Sequence, residues 1–247
     1  MTTPLDASIA DWAREERAYG VPGLHRSFLL RVESPRPPVL LLHGAGGSPA
    51  DFGHLARELA AAGFSSLCPL LPSHGRGDAA LAGVRFEAMA SRALEALDAL
   101  AEDRTDVAVV GQSVGAVLAL HVAYDRPVGR LVALAPALRP FVLRRLLALP
   151  LLALASPRAA ASTWRWQRDV QRGIQATTRR IPAVRCPLLV LHSREDDSVS
   201  LRGAEELVER AGSTEKRLIV LDGQGHVLSA APDLRSVVAP MVAFLAA

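Results

Sequence analysis

The stretch Val109-Val110-Gly111-Gln112-Ser113-Val114-Gly115-Ala116-Val117-Leu118 decides how the rest of the sequence is read. An apolar, β-branched run leads into a lone serine between two glycines, and small apolar residues follow it. A strand that turns directly into a helix must bend sharply, and small neighbours such as Gly111 and Gly115 permit that bend. The Ser113 hydroxyl then stands at the start of a helix, where the backbone dipole favours developing negative charge. A serine so placed is a candidate nucleophile. The plainer alternative is a serine that only fills a tight turn.

Outward from Ser113, short apolar runs alternate with helical patterns. Runs at residues 28–32, 39–42, 65–68, 107–110, 131–135, 188–192 and 218–221 are nearly continuous in apolar residues. That pattern suits strands covered on both faces, hence a largely parallel sheet. Residues 49–62, 86–102, 114–124, 201–211 and 234–245 carry apolar residues at helical spacing. Gly63 stands where a helix end favours glycine. The alternation predicts an α/β fold, a doubly wound, mostly parallel sheet with helices on both faces.

Between Pro136 and Val184 this rhythm breaks, with helical patterns and no strand. A crossover between parallel strands needs little more than about a dozen residues. Residues 137–184 are therefore expected to form a small helical cap insertion over one edge of the sheet, with residues 1–136 and 185–247 as the core.

Composition agrees with one globular unit. The chain has 247 residues, half of them hydrophobic and 21% charged, which supports a sizeable core and excludes a disordered chain. The net charge of +3 is scattered, so a nucleic-acid partner is not expected. Cys68 and Cys186 stand outside any paired motif, as isolated thiols of a reducing compartment do. The first twenty residues lack the basic-then-apolar order of a signal peptide. The most apolar segment, residues 146–155, is too short to span a bilayer, so no integral membrane segment and a cytoplasmic location are expected.

A serine needs a base, and the base needs a third group to orient it. His226 lies in Gly223-Gln224-Gly225-His226-Val227, after the last strand and before the last helix, where glycines let a loop approach Ser113. His25, His54, His121 and His192 lack such a setting and read as structural or surface residues. The carboxylate should follow an earlier strand, and Arg194-Glu195-Asp196-Asp197-Ser198-Val199 supplies three adjacent acids. Attack on a carbonyl also requires backbone N–H groups for the oxyanion. His43-Gly44-Ala45-Gly46-Gly47 follows a strand, so Ala45 can supply one N–H and Val114 the other. This glycine-rich run lacks the Lys-Ser/Thr ending of a phosphate loop and does not fit a dinucleotide fingerprint. No cluster with metal-ligand spacing is present, and no cofactor is expected.

The four segments HGAGG, GQSVG, REDDSV and GQGHV, in this order, resemble the α/β-hydrolase superfamily. The resemblance covers nearly the whole chain from Pro38 onward and is most like small bacterial carboxylesterases and monoacylglycerol lipases. In that family the acid is followed three residues later by an aliphatic residue. Asp196 has Val199 at that offset and Asp197 has Ser200, so the resemblance favours Asp196 over Asp197. It also likens Pro72-Ser73-His74-Gly75 to a turn that shapes the pocket wall, with no catalytic role for His74. The resemblance implies an α/β-hydrolase fold with a Ser113, Asp196, His226 triad and an Ala45, Val114 oxyanion hole. The implied chemistry is hydrolysis of a small-molecule ester through an acyl-enzyme. Leu146, Leu147, Leu149, Leu151, Leu152, Trp164 and Trp166 make an apolar cap, which favours an apolar acyl chain. Fold does not choose among reactions of one triad. Thioester, amide or carbon–carbon bond hydrolysis and acyl transfer stand as alternatives, with a non-catalytic binding protein behind them.

Overall fold

The computed structural model of the chain describes residues 3–76, 85–101, 104–139 and 157–247. Its strands are β1 (Phe28–Leu30), β2 (Val39–Leu42), β3 (Ser66–Cys68), β4 (Ala108–Gln112), β5 (Arg130–Leu134), β6 (Leu188–Ser193) and β7 (Lys216–Leu221). They form one sheet in the order β1-β3-β2-β4-β5-β6-β7. Only β1 runs antiparallel, pairing with β3 at the edge through Phe28 opposite Cys68. All other pairings are parallel. The continuous apolar runs explain this: β2, β3, β4 and β6 are buried along their whole length, as strands covered on both faces must be.

The helices are α1 (Pro4–Ala18), α2 (Gly53–Ala61), α3 (Phe86–Ala101), α4 (Val114–Asp125), α5 (Pro157–Arg179), α6 (Leu201–Arg210) and α7 (Leu234–Ala246). The chain steps outward from β2 to β3 through α2, then back past β2 to β4 through α3. Right-handed crossovers in opposite directions place α2 and α3 on opposite faces. The steps from β4 to β7 continue in α3's direction, so α4 joins α3's layer, while α7 packs on α2. The order therefore reverses between β2 and β4, and ligands of open α/β sheets bind at the carboxyl ends of strands at such a point.

Two elements differ from the sequence reading. Helix α1 was not assigned, although Thr3 and Asp6 form a capping box and Pro4 opens the helix. Its apolar stripe is thin, with Leu5 and Trp12 as its buried hydrophobics, and Arg92 lies over the Trp12 ring. The expected helix at 49–62 opens as a 3-10 turn at Pro49–Phe52, where the Asp51 carboxylate accepts the Ser48 N–H at 3.0 Å. Within the expected cap, α5 lies along α3 and α4, with Val170, Ile174 and Thr177 buried on one face. A Cβ on Gly173 would lie 2.0 Å from the Phe86 ring, and the Asp169 carboxylate accepts the Phe86 N–H at 2.7 Å. The apolar segment 140–156 and the side chains of Trp164 and Trp166 lie outside the described residues. Among the described residues no helix is long and apolar enough to cross a membrane. Both cysteines are free thiols.

Helix α4 is the centre of the core, and Leu118 is fully buried in it. Leu118→Ala is expected to lower the unfolding free energy by about 2–5 kcal/mol, because a cavity replaces packed side-chain atoms. Urea denaturation with an unchanged slope measures it, and a loss below about 1 kcal/mol would contradict the packing described.

Candidate active site

Ser113 lies one residue beyond β4, with φ 58° and ψ −115°. That left-handed backbone is strained for a residue with a Cβ, at about 1–3 kcal/mol. Its surroundings hold it there. The Ser113 N–H donates to Leu134 at 2.9 Å, and its carbonyl accepts from Ala116 at 3.1 Å and Ala137 at 3.2 Å. The glycines permit a close approach: a Cβ on Gly111 would lie 2.2 Å from the Gly115 oxygen, and one on Gly115 2.0 Å from the Leu42 oxygen. The start of α4 is thus pressed against the ends of β2 and β4, leaving the serine at the apex.

The structure brings Ser113, His226 and Asp196 together. His226 Nε2 lies 2.9 Å from Ser113 Oγ, and its Nδ1 lies 2.7 Å from Asp196 Oδ2. With Nδ1–H donating to the carboxylate, Nε2 is left to accept the serine proton. Asp196 is buried, whereas Glu195 and Asp197 are exposed. Asp196 Oδ1 accepts the N–H groups of Ser198 at 2.8 Å and Val199 at 3.0 Å. Burial alone would raise the Asp196 carboxyl, but the His226 hydrogen bond and the two backbone N–H groups outweigh it. The carboxyl is held below the ordinary carboxylate range. Asp197 accepts from the Ser198 hydroxyl at 3.0 Å.

Val114 follows the serine directly, and Ala45 lies in the glycine-rich turn after β2. Val114 is the first residue of α4, so its N–H has no partner within the helix. The turn before Ala45 touches the serine itself, since a Cβ on Gly44 would lie 3.2 Å from Ser113 Cβ. Gly46, at φ 77°, turns the loop back toward α2.

Several supports were not legible as such in the sequence. His43 is fully buried beneath the turn. Its Nδ1–H donates to the Gly44 carbonyl at 3.0 Å, and its Nε2 accepts the Leu71 N–H at 3.0 Å. Burial, then the neighbouring His74 ring, pushes His43 down to about 3, so this imidazole is neutral. Ser193, at the end of β6, donates its hydroxyl proton to the Gln224 carbonyl in the histidine loop. Gln112, the residue before the serine, also reaches that loop. His192 is fully buried with both ring nitrogens unpartnered, and its Nε2 lies 3.7 Å from Asp196 Oδ2, too far for a hydrogen bond. Burial lowers its pKa, against the pull of Asp196. The other histidines stand apart: His25 meets Ser48 Oγ at 2.8 Å, His54 is exposed on α2, and His121 lies against Tyr124 and Asp125 on α4. Among the described residues no group of three or more His, Cys, Asp or Glu side chains is arranged to hold a metal ion.

The sequence profile of the Alpha/beta hydrolase family matches residues 39–235. The chain belongs to the alpha/beta hydrolase family. Among curated relatives of this chain is an uncharacterized protein of Mycobacterium tuberculosis, strain H37Rv, 29% identical over 191 residues. The match covers 77% of this chain and 63% of that relative, so the chain spans less than two thirds of the relative's length. Among solved structures, the fold resembles a structure from a study of the metagenome-derived lipolytic enzymes LipS and LipT, with TM-score 0.77 and 24% identity, covering 92% of this chain and 99% of that one. It also resembles a soluble variant of monoglyceride lipase from Saccharomyces cerevisiae, with TM-score 0.74, 16% identity and coverage of 89% and 90%.

The neutral His43 gives the protein a specific acid lability. Folding depresses this pKa, so the stability it contributes is complete above about 6.5 and is lost as pH falls toward about 3. His43→Gln, which cannot take up the proton, is expected to be less stable at neutral pH. Its stability should also fall more shallowly with acid, by up to about 1.4 kcal/mol per pH unit across that window. Urea titrations at several pH values measure the difference, and equal slopes for the two proteins would contradict the assignment.

Proposed function

We propose that this hydrolase cleaves carboxylic esters with an apolar acyl chain through an acyl-enzyme on Ser113. The observation that carries the reading is the continuous hydrogen-bonded chain from Asp196 through His226 to the Ser113 hydroxyl, at 2.7 and 2.9 Å. That chain joins a proton donor, an acceptor and a charge that stabilises the acceptor once protonated, which is what activates a serine near neutral pH.

In the first step His226 Nε2 takes the Ser113 proton as Oγ bonds to the ester carbonyl carbon. The carbonyl oxygen becomes an oxyanion and accepts the N–H groups of Ala45 and Val114. The buried Asp196 carboxylate balances the imidazolium. His226 then passes its proton to the departing alkoxide, the carbon–oxygen bond breaks, and an alcohol leaves. Water attacks the acyl-enzyme with His226 again as base, releasing the acid and restoring Ser113. Preorganised N–H donors matter most, since losing one such donor typically costs about 10²–10³ in rate.

The apolar acyl preference rests on the leucine-rich sequence of residues 146–155, expected from the sequence to belong to a cap, and on the likeness of this fold to lipolytic and monoglyceride-lipase structures. Graded p-nitrophenyl esters and monoacylglycerols test it. Medium or long acyl chains are expected to be preferred over acetate, with activity lost in Ser113→Ala. Asp196→Asn is expected to cost at least about 10³ in kcat by stranding the wrong imidazole tautomer. Asp197→Asn is expected to stay within about threefold of the parent. Full turnover by Ser113→Ala, or the reverse order of the two aspartate variants, would contradict the assignment.

A further inference from the structure

We infer that Gln112 is a positioning residue: its side-chain amide clamps the histidine loop so that His226 meets Ser113, an inference resting on the role proposed for these two residues. Gln112 is the last residue of β4 and 3% exposed, directly before Ser113. Its Nε2–H donates to the His226 carbonyl at 2.9 Å. Its Oε1 accepts the Leu228 N–H at 3.0 Å and approaches the Ser229 N–H at 3.3 Å. The orientation of the amide is dictated by these partners, because a carbonyl can only accept and an N–H can only donate.

The clamp acts at the histidine and just after it. One arm holds the backbone of His226 itself; the other holds the two residues that open the 3-10 turn Leu228–Ala230. The histidine loop is otherwise fastened by Ser193 to Gln224 and by the Glu195 carboxylate, which accepts the Gly223 N–H at 2.9 Å. Those two ties come from the strand that bears Asp196 and act upstream of His226. Gln112 is the tie from the strand that bears Ser113. Nucleophile and base lie more than a hundred positions apart in sequence, and Gln112 is the covalent neighbour of one and the hydrogen-bond partner of the other. A misplacement of about 1 Å in such a pair can cost on the order of 10² in rate.

Gln112→Met keeps the length and volume of the side chain and removes both arms. Gln112→Glu restores one donor and one acceptor only when its carboxyl is protonated. Amide hydrogen exchange and steady-state kinetics on the full chain read the two halves of the inference. In Gln112→Met the amides of Leu228 and Ser229 are expected to exchange at least tenfold faster, while those of β4 and β6 hold. kcat for a p-nitrophenyl ester is expected to fall about 10–100-fold with KM within threefold. For Gln112→Glu, the ratio of its kcat to the parent's is expected to rise as pH falls, which a merely structural role would not produce. Should Gln112→Met not fold, the pH ratio of Gln112→Glu decides alone.

A Met variant with unchanged loop exchange, or with kcat within twofold of the parent, would overturn the inference, as would a flat pH ratio. Failure of the hydrolase reading looks different. The parent protein would neither turn over esters nor react with a fluorophosphonate, yet the Met variant would still release the loop amides, and the clamp would stand.

Discussion

Everything at this site depends on how closely α4 presses against the sheet. The missing side chains at Gly111 and Gly115 let the helix start within contact of the Leu42 carbonyl. Only then can Ser113 take its left-handed backbone at the apex, with its own N–H and carbonyl tied to β5 and the turn that follows. The strain is affordable because the bend sits in the best-packed part of the molecule, between strands buried on both faces and a helix whose residues Ala116–Leu120 are fully buried.

The second constraint is that three strand ends must agree. Ser113 follows β4, Asp196 follows β6 and His226 follows β7, and parallel pairing puts all three strand ends at one end of the sheet. Hydrogen bonds then set the details. His43 holds the glycine turn, Ser198 and Val199 fix the Asp196 carboxylate, and Gln112, Ser193 and Glu195 fasten the histidine loop from two directions. The supports from His43 to Gly44 and from Asp196 to Ser198 and Val199 are local, whereas those made by Gln112, Ser193 and Glu195 join residues far apart in sequence.

Much of this was readable in the sequence because chemistry leaves local marks. Continuous apolar runs announce strands covered on both faces, and the G-x-S-x-G turn announces itself by the change of period around Ser113. The choice among Glu195, Asp196 and Asp197 was open to the residues alone, since three adjacent acids share one local pattern. Burial separates them: the Asx-type turn onto Ser198 and Val199 points Asp196 inward and leaves its neighbours in solvent. The roles of His43 and Gln112 had no local signal, because a buried imidazole and a buried amide reveal themselves only by partners 28 and 114 to 117 positions away. Helix α1 had good capping signals, but its two buried hydrophobics made too thin a stripe to register.

The most direct measurement is to react the protein with a fluorophosphonate and map the adduct by peptide mass spectrometry. A single phosphonyl group on Ser113, formed at a rate that collapses in His226→Ala, is the expected result. An adduct on another residue, or none on a folded protein that still hydrolyses esters, would contradict Ser113 as the activated nucleophile.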